Sequence, residues 1–147
     1  MTAIAQFNRG EHLFRAGRFE EARDITIPAL VAAENGSDPS GLMVTYPLRT
    51  LGLCYLELGC FDNALAALER ASALREANDQ MPVRLAEVHF PLARAVEAAS
   101  GDRVRAVALA QRARHEYALA PSTPLVEKEL AELEAWLAAH PASTERS

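Results

Sequence analysis

The chain has 147 residues, enough for one domain with a hydrophobic core and too few for two ordinary domains. Its 15 Lys and Arg against 20 Asp and Glu leave a formal net charge of −5. This balance argues against nucleic acid as the main partner, because phosphate binding needs an excess of cations. No apolar run approaches the roughly 18 residues of a membrane span, and the N-terminal segment lacks the features of a secretory signal. We therefore expect no membrane partner and a cytoplasmic location.

Seven helices are predicted, because half of the residues are hydrophobic, alanine is abundant, and helix start and stop signals recur along the chain. Asn35-Gly36 is a stop signal for the second helix, and Asp38-Pro39 is a start signal with proline in the first helical position. The predicted ranges are 2–16, 19–34, 42–58, 61–78, 82–99, 103–119 and 124–139.

The later helices have similar start signals. Asp79 and Pro82 mark the start of the fifth helix, and Thr123-Pro124 opens the last one. The last helix carries an apolar stripe at i, i+4, i+7 and i+11, formed by Val126, Leu130, Leu133 and Leu137. We expect this helix to cap the array and the tail, 141–147, to be flexible.

Two cysteines, Cys54 and Cys60, lie six residues apart. They are interpreted as reduced thiols, with a redox pair as the alternative. Their spacing fits no tetrahedral zinc pattern, and no second pair completes one. No metal and no cofactor are expected.

The chain contains an internal repeat with a period of 42 residues. Each unit has a glycine, followed by two alanines that are seven residues apart and so share one helix face. A glycine supplies the positive φ that ends one helix, and small side chains let the next helix approach closely. The units therefore predict helical hairpins that must stack to bury their apolar faces. When the three units are aligned, the repeated positions are Gly17, Gly59 and Gly101, then Ala22, Ala64 and Ala106, then Ala29, Ala71 and Ala113.

The middle unit resembles the tetratricopeptide repeat (TPR), which has a Leu-Gly pair, then tyrosine, glycine, an aromatic residue and two alanines at these intervals. Its matching residues are Leu48, Leu51, Gly52, Tyr55, Gly59, Phe61, Ala64, Leu68, Ala71 and Leu74. The first unit matches with Gly10, Leu13, Gly17, Phe19, Ala22 and Ala29. In the third, Leu92-Ala93 stands for Leu-Gly and Val96 for the tyrosine, and its glycine turn is one residue longer.

The resemblance implies an all-α fold, an α-α superhelix of about three hairpins with a C-terminal capping helix. The period exceeds the family's usual period of about 34, as in the TPR units of kinesin light chain. The segments 85–95 and 134–140 are similar to TPR arrays of bacterial serine/threonine kinases. We expect a single domain over 1–140, with repeats at about 2–35, 42–78 and 82–119 and the cap at 124–139.

TPR proteins generally bind peptides in the concave face formed by the first helix of each hairpin. The resemblance therefore implies a non-catalytic module for a peptide or partner protein. A family variant that captures a C-terminal carboxylate with Lys and Asn is disfavoured, because Phe7, Glu11, Arg49 and Leu53 occupy those places. The implied groove residues are Phe7, Glu11, Phe14, Arg15, Tyr46, Arg49, Leu53, Leu56, Glu57, Phe90, Arg94 and Glu97.

No catalytic motif is present, neither a phosphate loop, a nucleophile elbow nor a zinc-protease helix, and no kinase motif either. The four histidines are interpreted as ordinary surface or packed residues, with a metal site from His89 and His115 as the alternative. For function, the alternative is a sensor or regulatory region of a bacterial signalling protein that responds to a peptide or small ligand.

The N-terminal end of the array begins inside a repeat, so that Ile4, Phe7 and Phe14 have no preceding helix to cover them. Uncapped apolar ends tend to be covered by another element. The sequence therefore predicts either a homodimer through this end or a longer N-terminal partner.

Overall fold

A computed structural model describes residues 2–78 and 81–141 of the chain. Within these residues the structure is all-helical, with seven helices and no strand, which confirms the predicted fold class. Asp79 and most of the predicted tail, 142–147, lie outside the described residues. The helices are α1 (Ala3–Arg15), α2 (Phe19–Glu34), α3 (Leu42–Leu58), α4 (Phe61–Asn78), α5 (Pro82–Ser100), α6 (Arg103–Leu119) and α7 (Pro124–Ala139).

The repeated glycines end the first helix of each hairpin, as predicted. Gly17, Gly59 and Gly101 all have left-handed backbone, with φ of 80°, 79° and 71°. A side chain at such a position would strain the chain, so glycine is the residue that lets α1, α3 and α5 stop and reverse. The second helix then begins two residues after each glycine, at the predicted 42-residue period.

Helix α3 spans the predicted range, 42–58. Two local predictions were wrong. Asp38-Pro39 does not start this helix, because the Asp38 carboxylate holds a turn by accepting hydrogen bonds from the Ser40 and Met43 amides, both at 3.0 Å. Gly41, in the left-handed conformation, separates that turn from the helix. The third hairpin also has no longer turn. Its extra residue, Ser100, is the last residue of α5, where its hydroxyl donates to the Val96 carbonyl.

Small residues lie where the helices approach most closely. The six repeated alanines, at 22, 29, 64, 71, 106 and 113, are all buried. Gly52 faces Leu68 so closely that a Cβ on it would lie 2.5 Å from the leucine Cγ, and Gly10 lies in the same way against Thr26. The hairpins therefore pack at distances that larger side chains would prevent.

The helices stack in order along the chain. Each helix packs on the next one, and in addition α1 contacts α3 and α3 contacts α5. Helices α1, α3 and α5 therefore lie side by side and form one face of the stack, as in an α-α superhelix. None of the helices in the described residues is long and apolar enough to span a bilayer.

Helix α7 closes the C-terminal end through its predicted apolar stripe. Leu133 is fully buried, and it packs with Phe90 of α5 and Tyr117 of α6. Trp136 extends this contact, with its ring edge-on to Phe90 at 6.3 Å between centroids. The stripe therefore attaches α7 to the last hairpin and leaves its other faces toward solvent and the concave side.

Candidate functional site: a concave groove and a side pocket

The main concavity is a groove of about 560 Å³ along the side formed by α1, α3 and α5. Its volume lies within the range of about 300–1,000 Å³ that is typical of ligand clefts. Ten of the twelve groove residues implied by the resemblance line it, namely Phe7, Glu11, Phe14, Arg15, Tyr46, Arg49, Leu53, Glu57, Phe90 and Arg94.

The other two predicted residues lie elsewhere. Leu56 is buried in the core between α3, α4 and α5. Glu97 pairs with Arg103 across the α5–α6 turn, at 3.4 Å, and does not line the groove. Leu53 and Phe90 line the groove but are almost fully buried, so each offers only a small area to a ligand.

Aromatic and arginine side chains meet near the middle of the groove. The Phe7 ring contacts the Tyr46 ring edge-on, with 6.2 Å between centroids. The guanidinium groups of Arg75 and Arg84 lie 4.8 and 5.7 Å from the centroid of the same tyrosine ring. Such cation–π contacts hold the ring in place, so Tyr46 is a fixed apolar surface of the kind that forms binding hot spots.

The charges that line the groove are mixed in sign. Arg94 lies 3.4 Å from Glu57, and Arg15 lies 3.8 Å from Glu11. These pairs are partly exposed and contribute little to stability. Among the described residues, the groove as a whole is lined by six cationic and five anionic side chains and is therefore close to electrically neutral.

Helix α7 provides another wall of the groove, which was not predicted from the sequence. Four residues of this helix line it, at spacing i, i+3, i+4 and i+7: Leu125, Lys128, Glu129 and Glu132. This is a second helical stripe beside the apolar one. The spacing is visible in the sequence, but its position depends on how the cap docks on α6. Arg75, Arg84 and Tyr117 were missed as well.

A smaller side pocket of about 190 Å³ adjoins the groove at its C-terminal end. Four residues line both cavities: Glu87, Tyr117, Leu125 and Glu129. Burial raises the pKa of the Glu129 carboxyl above its usual range, and the neighbouring Glu132 and Glu87 raise it further against the opposing effect of Arg49. Burial likewise raises the pKa of the Tyr117 hydroxyl, so this hydroxyl is neutral at physiological pH.

His89 lies outside the groove, fully buried between two carboxylates. Its Nδ1 is 2.7 Å from Glu116 and its Nε2 is 2.9 Å from Glu76. Arg112 pairs with both carboxylates, at 3.3 Å each. This network joins α4, α5 and α6. No group of three or more His, Cys, Asp or Glu in the described part of the chain is arranged to hold a metal ion, so the His89–His115 alternative gains no support.

The two cysteines are free thiols. Cys54 is fully buried beside Leu13 and Ala22, and burial raises its pKa to about 11. A thiol with such a pKa is protonated at neutral pH and is a poor nucleophile. Cys54 is therefore a packing residue.

The tetratricopeptide repeat family model matches residues 1–77, slightly more than half of the chain. The chain belongs to the tetratricopeptide repeat family. No curated protein and no solved structure matches it significantly. TPR domains generally mediate protein–protein interactions and are generally non-catalytic.

Proposed function

We propose that this TPR protein is a non-catalytic module that binds a peptide or a partner protein in its concave groove, with residues 1–140 as one binding domain. The observation that supports the proposal is the convergence of ten implied residues on one continuous cleft. Tyr46, held by its arginine neighbours, is the central contact, because large rigid aromatic side chains contribute most to peptide hot spots.

The groove chemistry favours a peptide over a nucleic acid. Its charges of both signs suit a bound peptide, which carries both hydrogen-bond donors and acceptors. A phosphate backbone would be repelled by the carboxylates of Glu11 and Glu57. The net charge of −5 acts in the same direction.

The N-terminal end supports a second contact. Ile4 is 66% exposed and Val31 is 49% exposed, both on the first hairpin. We propose that a second copy of the chain or an N-terminal partner covers them. Light scattering at micromolar concentration tests whether a second copy of the chain covers these residues. A dimer that Ile4→Glu dissociates would support this contact. A monomer at all concentrations would contradict it.

The alternative function is that of a sensor or regulatory region in a bacterial signalling protein, as in the kinase-associated arrays. The cytoplasmic location remains a prediction under either function. The observation that favours this alternative is that α7 lines both cavities and is attached to the last hairpin mainly through one apolar stripe. A ligand in the groove would contact α7 directly and alter the curvature of the stack. A ligand-dependent change in scattering radius would distinguish this function from a rigid binding module.

The main test is affinity capture from native cell extract with the wild-type chain, Arg49→Glu and Arg114→Glu. Arg49 lines the groove, whereas Arg114 is an exposed arginine on α6 that does not line it and serves as the matched control. We expect Arg49→Glu to lose the partner and Arg114→Glu to keep it, with both variants folded by circular dichroism. Equal recovery by all three proteins would contradict the groove assignment.

A second variant tests the aromatic contact. Phe14 is one of the predicted groove residues, but this ring packs against Phe19 at 5.3 Å and against the core, so its removal would also destabilise the fold. Phe7→Ala is the cleaner probe, because Phe7 contacts Tyr46 in the groove. We expect it to weaken partner binding by more than about 1 kcal/mol.

A further inference from the structure

The side pocket has apolar walls and polar groups at one end. Val83 of α5 and Leu125 and Val126 of α7 supply the apolar side chains, with Ala120 and Pro121 of the α6–α7 connection beside them. Glu87, Glu129 and Tyr117 supply the oxygen atoms. A cavity of about 190 Å³ is large enough for a short alkyl chain with a polar end.

Two of these oxygen-bearing groups, Tyr117 and Glu129, lack a hydrogen-bond donor within the described part of the chain, whereas Glu87 accepts from Arg84 at 3.1 Å. The Tyr117 side chain is only 3% exposed, and among the described residues its hydroxyl has no hydrogen-bond partner. The Glu129 carboxylate has no hydrogen bond there either, since Arg49 approaches it only to 4.0 Å. Arg49 is held away because its Nε donates to the Glu87 carbonyl at 2.7 Å. A carboxylate can accept about four hydrogen bonds, so Glu129, whose side chain is 26% exposed, can accept several from a bound donor.

We propose that the side pocket binds an alkylammonium group, with the methylene chain against the apolar walls and the ammonium at Glu129 and Tyr117. An ammonium has three donors and one positive charge, which matches two acceptors without a hydrogen bond from the described residues and a carboxylate whose ion-pair partner, Arg49, lies as far away as 4.0 Å. The raised pKa of Glu129 agrees with this, because burial and the neighbouring carboxylates of Glu132 and Glu87 outweigh the nearby cation of Arg49, and an added cation would relieve that imbalance.

Two sources supply this chemistry, a lysine side chain of a peptide and a free alkylamine. The pocket adjoins the groove through shared residues, so a lysine of a peptide lying in the groove would reach it; this form of the inference rests on the proposed function. Free alkylammonium binding does not, and the two are measured separately.

The first experiment titrates the wild-type protein with n-butylammonium chloride at pH 7, followed by the backbone amide shifts of Ala120 and Val126, with n-butanol and sodium butyrate as neutral and anionic probes. We expect butylammonium to bind with a dissociation constant in the millimolar range and both other probes to bind at least about tenfold more weakly. Glu129→Gln should weaken butylammonium at least about tenfold, and Tyr117→Phe several-fold. Glu134→Gln, on the same helix and outside both cavities, should bind as the wild type does. Butanol binding equal to butylammonium, or no effect of Glu129→Gln, would overturn the proposal.

The second experiment compares acetyl-Ala-Ala-Lys-Ala-Ala-amide with the same peptide carrying norleucine in place of lysine. A preference for the lysine peptide that Glu129→Gln removes identifies the source as a peptide side chain. Butylammonium binding without any preference for the lysine peptide identifies a free amine and leaves the pocket assignment intact. If both peptides bind alike and butylammonium does not bind, the groove function stands and the ammonium pocket is wrong.

Discussion

Gly52 offers the sharpest test of the helix packing. A Cβ at this position would lie 2.5, 2.7 and 2.9 Å from three side-chain atoms of Leu68, which is itself fully buried. Overpacking a filled core costs about 1–3 kcal/mol, and the better helix propensity of alanine returns about 1 kcal/mol or less. We therefore expect Gly52→Ala to lower the free energy of unfolding by about 1–2 kcal/mol.

Urea denaturation followed by circular dichroism measures this loss, and the midpoint of thermal unfolding should fall by about 3–8 °C for a chain of this size. A double-mutant cycle with Leu68→Ala isolates the contact. Leu68→Ala alone leaves a cavity and should cost about 2–5 kcal/mol. In the double variant the new methyl enters that space, so the two effects should differ from additivity by at least about 1 kcal/mol.

Gly59 provides the control. A Cβ there meets no atom within 4 Å, but its φ of 79° strains any side chain. Gly59→Ala should therefore destabilise through the backbone alone, by about 1–2 kcal/mol, and should be additive with Leu68→Ala. A neutral or stabilising Gly52→Ala, or an additive cycle at Gly52, would refute the close approach of α3 and α4.

Three further predictions concern the charged residues, and all are read from denaturation curves. His89→Ala leaves the carboxylates of Glu76 and Glu116 with Arg112 as their shared partner and empties a fully buried position, so it should cost about 3 kcal/mol; a loss below about 1 kcal/mol would show that the network is not stabilising. Glu129→Gln removes a carboxylate whose pKa is raised by burial, so the variant should be more stable than the wild type at pH 7. That advantage should shrink as the pH falls through the raised pKa, because the wild-type group then becomes protonated, and a constant difference would contradict the assignment. Burial raises the pKa of Glu76, but hydrogen bonds from His89 and Ser72 and the charge of Arg112 lower it by more. The ionised Glu76 carboxylate therefore stabilises the fold above the unfolded-state pKa, and this stabilisation is lost as the pH falls. Glu76→Gln should flatten the acid side of the curve of unfolding free energy against pH, between about pH 5 and 3.

The helices could be predicted from the sequence because local rules determine their ends. Glycine at 17, 59 and 101 ends a helix through backbone freedom alone, and the repeated alanines show which face is buried. The errors arose where a local signal had two outcomes. Asp38 can cap a helix or hold a turn, and the structure shows the turn.

The site was predictable only where it follows from the repeat. Positions in α1 and α3 repeat with the period, so most of their groove residues were predicted. Thr45 and Thr50 were missed, and Leu56 was predicted there but lies in the core. The α7 wall depends on the docking of a helix outside the repeat. The His89 network depends on carboxylates 13 and 27 residues away, which only the tertiary fold brings together. No spacing rule covers such contacts.

The most direct test of groove binding is site-specific photo-cross-linking to the captured partner. Benzoylphenylalanine would replace Tyr46, at the centre of the groove, or Phe61, an exposed ring at the start of α4 that does not line it. We predict a covalent adduct with the partner from position 46 and none from position 61. An adduct from position 61 without one from position 46 would contradict the proposal that the concave face is the binding surface.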